Sequence, residues 1–123
     1  MRIGVVGARL AGSYAALLLT RQGHEVLLFD DSTHKEKPCG GGVTAKALSG
    51  ITWFDENSLP HTEIRTLRLS TPDGQSSDVP LRHPIRIFSR LTLDSALRDT
   101  AIRTGTRFVP ERALRFQPSG NGW

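Results

Sequence analysis

Between Ile3 and Asp30 the chain sets two short apolar runs around a glycine-bounded helical stretch, and few folds accept that order. Arg2 to Val6 is a short apolar run that ends at Gly7, the pattern of a strand covered on both faces. Ala11 to Gln22 has helical spacing, with Ala15, Leu18, Leu19 and Gln22 on one face, Tyr14 beside it and Gly23 as the stop. Glu25 to Phe29 is a second buried strand, and a right-handed crossover lays it parallel to the first. Strand, turn, helix, strand and acid in this order build a pocket for a dinucleotide.

The turn Gly7-Ala8-Arg9-Leu10-Ala11-Gly12 keeps the first and third glycines of GxGxxG and carries Arg9 in place of the second. Gly7 allows the tight turn, and Gly12 lets the helix approach the sheet. Helix N-terminal amides then hold the anion. Arg9 adds charge and bulk: its side chain either reaches the phosphates from the side or crowds the ligand. Asp30 follows Gly12 at nearly the spacing of roughly 20 residues expected for an acid that binds a ribose diol. The plainer alternative makes Gly7 and Gly12 ordinary turn glycines and Asp30 a strand end.

Lys and Arg total 16 against 12 Asp and Glu, for a net charge of +4. The arginines from Arg65 to Arg115 are spread out rather than clustered with aromatics, which argues against nucleic acid. Cys39 is the single cysteine, so no internal disulfide is possible and a reducing cytoplasm is expected. The first strand begins almost at Met1, leaving no expected signal peptide. The run Ala15 to Leu19 is too short to span a bilayer. His24, His34, His61 and His83 lack metal-ligand spacing, so no metal site is expected, and no GxSxG elbow occurs.

Farther on, Asp31 to Pro38 reads as loop, and Cys39-Gly40-Gly41-Gly42 as irregular chain. A short helix is expected over Thr44 to Leu48, closed by Gly50, and Ile51 to Pro60 has no period. A β-like stretch starts at Glu63, turns at Thr71-Pro72-Asp73-Gly74, and returns as two strands, Ser77 to Leu81 and Ile85 to Ser89. Leu93, Leu97 and Ala101 mark a helix capped by Ser89 or Thr92 and stopped by Gly105. Arg107 to Val109 rejoins the parallel sheet, and Leu114 to Gln117 is a strand candidate. Gly120-Asn121-Gly122 is a turn signal after which Trp123 begins another strand, so a truncated piece of a larger protein is expected.

Lys37-Pro38-Cys39-Gly40-Gly41-Gly42-Val43-Thr44, taken with the motif Gly7 to Ala16, resembles the geranylgeranyl reductase family of p-hydroxybenzoate hydroxylase-like flavoproteins. Arg90-Leu91-Thr92-Leu93-Asp94 and the helix that follows resemble a segment shared with flavin hydroxylases and halogenases. The resemblance implies an α/β fold: a truncated Rossmann-like FAD-binding βαβ domain with a small antiparallel β insertion. Residues 1–123 would be the N-terminal part of one FAD-binding domain, with about 63–89 belonging to a substrate domain and the remainder of the enzyme absent.

The resemblance further implies FAD as cofactor. Gly7, Ala8, Gly12 and Ser13 would surround its pyrophosphate, with Arg9 at the same turn. Asp30 would hold the adenine ribose, and Arg90 would approach the phosphates or ribityl chain. Cys39, Gly40, Gly41 and Gly42 would lie near the isoalloxazine ring. The implied reaction reduces isolated carbon–carbon double bonds of isoprenoid chains, and the truncated chain is not expected to turn over alone. Cys39 either tunes the flavin or donates a proton; the alternative is a small packing residue. Arg90 has the alternative of a surface arginine. An isoprenoid substrate leaves peripheral membrane contact open. Three other functions remain: a flavin enzyme that activates oxygen, a non-catalytic nucleotide-binding remnant, and an NAD binder that leaves the glycine loop unexplained.

Overall fold

A computed structural model describes residues 1–31, 36, 38–51, 55–120 and 122. The chain divides into two compact units, Met1–Lys35 with Asp94–Trp123, and Glu36–Leu93.

In the first unit, β1 (Arg2–Val6) and β2 (Glu25–Phe29) pair in parallel, with Ile3 opposite Val26 and Val5 opposite Leu28. The strand β6 (Arg107–Val109) pairs with the other edge of β2, again in parallel. The order β1-β2-β6 is the 3-2-1 half of a doubly wound sheet. The helix α1 (Leu10–Arg21) joins β1 to β2. Gly23, at φ 84°, ends it as expected, and its N–H donates to Thr20 O at 3.0 Å. Ala8, Ala16, Val26 and Leu28 form a buried cluster, with Val5, Leu19 and Phe108 packed against it.

The face of α1 that is buried corrects the sequence reading. Ser13, Ala16 and Leu17 are buried, whereas Ala15, Leu18 and Gln22 are exposed. Small side chains let the helix lie close, and Ser13 satisfies its hydroxyl by donating to Ala8 O at 2.8 Å. Thr20, farther along this helix, shares a hydroxyl hydrogen bond of 2.7 Å with the buried Thr106, which precedes β6.

The second unit is antiparallel. The strand β3 (Gly42–Thr44) precedes α2 (Ala45–Ser49), which Thr44 caps by accepting from Ala47 N at 3.3 Å. A single 3₁₀ turn spans Glu56–Ser58 in the stretch without a sequence period. The strands β4 (His61–Ser70) and β5 (Ser76–Phe88) form a hairpin, and the order is β3-β5-β4. Its turn is the expected one: Gly74 N donates to Thr71 O at 3.0 Å, and Gly74 has φ 88°.

Two strand expectations fail. The two strands read on either side of Arg82-His83-Pro84 are one, β5. Ile64 pairs with Ile85 and Thr66 with Pro80, so Leu81 to Pro84 fall opposite Arg65 in a bulge. Such a bulge admits a proline without ending the ladder. Leu114 to Gln117 is irregular, with Leu114 and Phe116 exposed and no ladder partner among the described residues. Ser119 and Gly122 exchange backbone hydrogen bonds of 2.8 and 3.1 Å where a turn was expected; Asn121 and the strand expected at Trp123 lie outside the described residues.

The helix α3 (Arg90–Thr104) begins after Ser89, whose Oγ accepts from Thr92 N at 3.3 Å. Leu93, Leu97 and Ala101 are all buried, and Gly105 stops the helix at φ 114°. No described helix is long and apolar enough to cross a membrane, which says nothing of a β-barrel.

Candidate functional site

The first unit gathers Gly7, Ala8, Arg9, Gly12, Ser13 and Asp30 at the end of β1. Gly7 takes φ 95°, where a side chain is disfavoured, and its N–H reaches Phe29 O at 2.7 Å. A Cβ at Gly12 would collide with Gly7 O, so residue 12 must be glycine for helix and turn to meet. The first intrahelical bond of α1 runs from Ser13 N to Arg9 O at 2.9 Å. The amides of Leu10, Ala11 and Gly12 therefore have no acceptor inside the helix. No acidic side chain stands in that first turn. The arrangement fits an anion on the positive end of the helix dipole.

Asp30 faces this turn. Its Oδ2 accepts from Ala8 N at 2.7 Å, although the two residues are far apart in sequence. Ala8, fully buried, is thus held on both sides of its peptide, by Asp30 at N–H and Ser13 at C=O.

Arg9, where the second glycine was expected, is unstrained at φ −86° and ψ −172°. Its guanidinium donates from Nη1 to Asp94 Oδ2 at 3.0 Å. Asp94 is 2% exposed, and Arg9 is 35% exposed in its side chain. Sequence reasoning missed Asp94 as a partner. Its signal was present: Asp94 sits three residues before Leu97 on the apolar side of α3, and a buried acid requires a counter-charge.

The second unit holds Cys39, Gly40, Gly41, Gly42 and Arg90. Arg90 Nη1 lies 3.3 Å from Cys39 Sγ, which sets a cation against the only thiol. Gly41 is buried at φ 63°, and a Cβ there would collide with Phe88 O. Gly42 is not irregular chain as expected: it opens β3 and pairs with Ile87. Of the three glycines only Gly41 is set against backbone: a Cβ at Gly40 would meet nothing within 4 Å, and one at Gly42 would touch only the side chains of Ile85 and Ile87.

Glu36 was another residue missed. It accepts from Ser89 Oγ at 2.7 Å, Arg90 N at 2.8 Å and Leu91 N at 3.3 Å. The Ser89 hydroxyl, ahead of these two amides, holds its carboxyl below the usual range. Glu36, Cys39, His61, Phe88 and Ser89 line part of an open cavity of about 500 Å³. His61 Nδ1 is 2.9 Å from Leu59 O. A carbonyl only accepts, so that nitrogen carries the proton.

The family of the NAD(P)-binding Rossmann-like domain matches residues 5–99. The chain is similar to a menaquinone reductase of Mycobacterium tuberculosis, 34% identical over 119 residues, covering 85% of this chain and 28% of that protein. It is similar to a geranylgeranyl diphosphate reductase of Synechocystis, 30% identical over 117 residues, covering 89% of this chain and 27% of that protein. The expected kinship with geranylgeranyl reductases is borne out, and the chain spans less than a third of the length of either relative. A flavin-dependent brominase shares the fold, with a TM-score of 0.72 and 13% identity over 97% of this chain and 32% of that one. The chain belongs to the NAD(P)-binding Rossmann-like domain family.

Proposed function

We propose that this chain is the FAD-holding part of a flavin-dependent oxidoreductase that reduces carbon–carbon double bonds of isoprenoid chains. The observation that carries the cofactor assignment is the Asp30 carboxylate turned onto the Ala8 amide of the glycine turn. In this reading Gly7, Ala8, Gly12 and Ser13 surround the diphosphate and the amides of Leu10, Ala11 and Gly12 bind it, with Arg9 at the same turn. Asp30 accepts from the adenine ribose. It also disfavours NADP, because a 2′-phosphate would meet a carboxylate. Arg90 serves the phosphates or the ribityl chain, and Cys39 to Gly42 serve the ring.

Bound flavin supplies the hydride chemistry, and the protein binds, orients and excludes water. Cys39, with Arg90 against its sulfur, is the candidate proton donor. Reduction is favoured over oxygen activation by the two relatives named as reductases. The brominase supports the oxygen-activating alternative only through its fold.

Titration of the 123-residue chain with FAD and with ADP tests the cofactor reading. Saturable binding of both is expected, with Asp30→Ala weakening each by about 10- to 100-fold, the worth of hydrogen bonds to a charged group. A folded chain that binds neither would overturn it. The reaction class is tested on the longest open reading frame containing this chain. A geranylgeranyl chain that gains hydrogen supports the reading, and halogenation or hydroxylation of an aromatic instead overturns it.

A further inference from the structure

Arg9 poses a question that the dinucleotide motif leaves open. The turn takes a long cation where a glycine is expected, and Arg9 answers by reaching across to α3, where Asp94 Oδ2 receives its Nη1 at 3.0 Å. Asp94 is 2% exposed. A carboxylate buried to that degree is held in place by its surroundings, and its charge is met by the guanidinium. The two neighbours in the turn are fixed by separate bonds: Gly7 to Phe29 O, and Ala8 to Asp30 and Ser13. Residue 9 follows them immediately, and its carbonyl starts the hydrogen-bond ladder of α1.

We propose that Asp94 is a positioning residue for the dinucleotide site. Through Arg9 it braces the phosphate-binding turn, so that the amides of Leu10, Ala11 and Gly12 stand ready for a diphosphate without the usual second glycine. This inference rests on the reading of that turn as a diphosphate site. The physical basis is preorganisation: a glycine turn gains access by lacking a side chain, and this turn gains order by anchoring one. A turn fixed before the ligand arrives loses less conformational freedom on binding. The guanidinium, with its charge already engaged by Asp94, acts through the turn rather than as a phosphate ligand.

The test is a double-mutant cycle on the 123-residue chain with Asp94→Ala, Arg9→Ala and the double variant. Each is titrated with ADP and with adenosine at a temperature where its melting curve shows it folded. Asp94→Ala is expected to weaken ADP by about tenfold while adenosine, which has no phosphate, changes less than twofold. The double variant is expected to bind ADP no more weakly than the weaker single variant, because the two side chains act as one unit.

Unchanged ADP affinity in Asp94→Ala, or equal losses for ADP and adenosine, would overturn the proposal and leave Asp94 a structural acid. Losses that multiply in the double variant would also overturn it, by showing Arg9 to bind phosphate independently of Asp94. An unmodified chain that binds no ADP at all defeats the diphosphate reading itself, a result distinct from these. Should Asp94→Ala fail to fold, Asp94→Asn, which keeps the shape and loses the charge, carries the same comparison.

Discussion

Leu28, Ala16 and Ala8 in the parallel unit are fully buried, whereas every residue from Arg65 to Pro80 in the antiparallel unit is exposed. The parallel unit is held by an apolar layer that α1 and β2 share. The outer hairpin of the antiparallel unit is held by its main-chain ladder and by cross-strand pairs such as Arg68 opposite Asp78, joined by hydrogen bonds of 2.7 and 2.8 Å. The contrast separates two ways of specifying structure. Burial makes each side chain matter, and a ladder makes the register matter.

Truncation of one leucine in each unit would break this contrast most visibly. Leu28→Ala is expected to cost about 2–5 kcal/mol, the range for removing a fully buried leucine. Leu69→Ala, at a position 60% exposed, is expected to cost below about 0.5 kcal/mol. Urea unfolding of both variants checks the pair. Equal losses would show that the hairpin carries a packed face of its own.

The same division explains what the sequence made legible. Apolar runs and local caps revealed β1, α1, β2, the short helix near Thr44 to Leu48, the turn at Thr71 to Gly74 and the Leu93-Leu97-Ala101 face, because each is decided within a few residues. The buried face of α1 was misread because the apolar run Ala15 to Leu19 fits two neighbouring helical faces, and the face that is buried carries Ser13, Ala16 and Leu17. The continuity of β5 was hidden because the bulge that tolerates Pro84 is defined by β4. Within the site, Gly7, Gly12 and Asp30 were readable from spacing. The Arg9–Asp94 pair and the grip of Glu36 on Ser89 join residues too distant in sequence for spacing to relate them.

The glycines offer a sharper comparison of smaller size. A Cβ at Gly12 meets Gly7 O, and a Cβ at Gly41 meets Phe88 O. Gly12→Ala and Gly41→Ala are each expected to cost about 1–3 kcal/mol by overpacking. Their effects on ligands differ. Gly12→Ala displaces the turn proposed for the diphosphate and weakens ADP, whereas Gly41→Ala, near the proposed place of the ring that ADP lacks, leaves ADP affinity within twofold. Isothermal titration of the folded variants separates them, and a matching ADP loss in both would erase the distinction.

Acid acts more gently, and on identifiable groups of the antiparallel unit. Asp78 is held below its usual value chiefly by hydrogen bonds from Arg68, Asp73 by the Thr71 hydroxyl and Glu36 by the Ser89 hydroxyl. A carboxylate with a lowered folded value contributes stability above its unfolded value and loses it as pH falls through the folded one. The hairpin is therefore expected to keep its order through pH 5 and to loosen only below the ordinary carboxylate range of about 4. These groups lie at the surface, so the effect is small and weakens further in high salt. Amide exchange along β4 and β5 measured against pH would follow it. Asp78→Asn should remove the part linked to Arg68 and leave the part linked to Glu36, because the two carboxylates have no partner in common. An Asp78 signal that titrates at its ordinary value would show that the Arg68 bridge does not hold in solution, and the hairpin would then rest on its ladder alone.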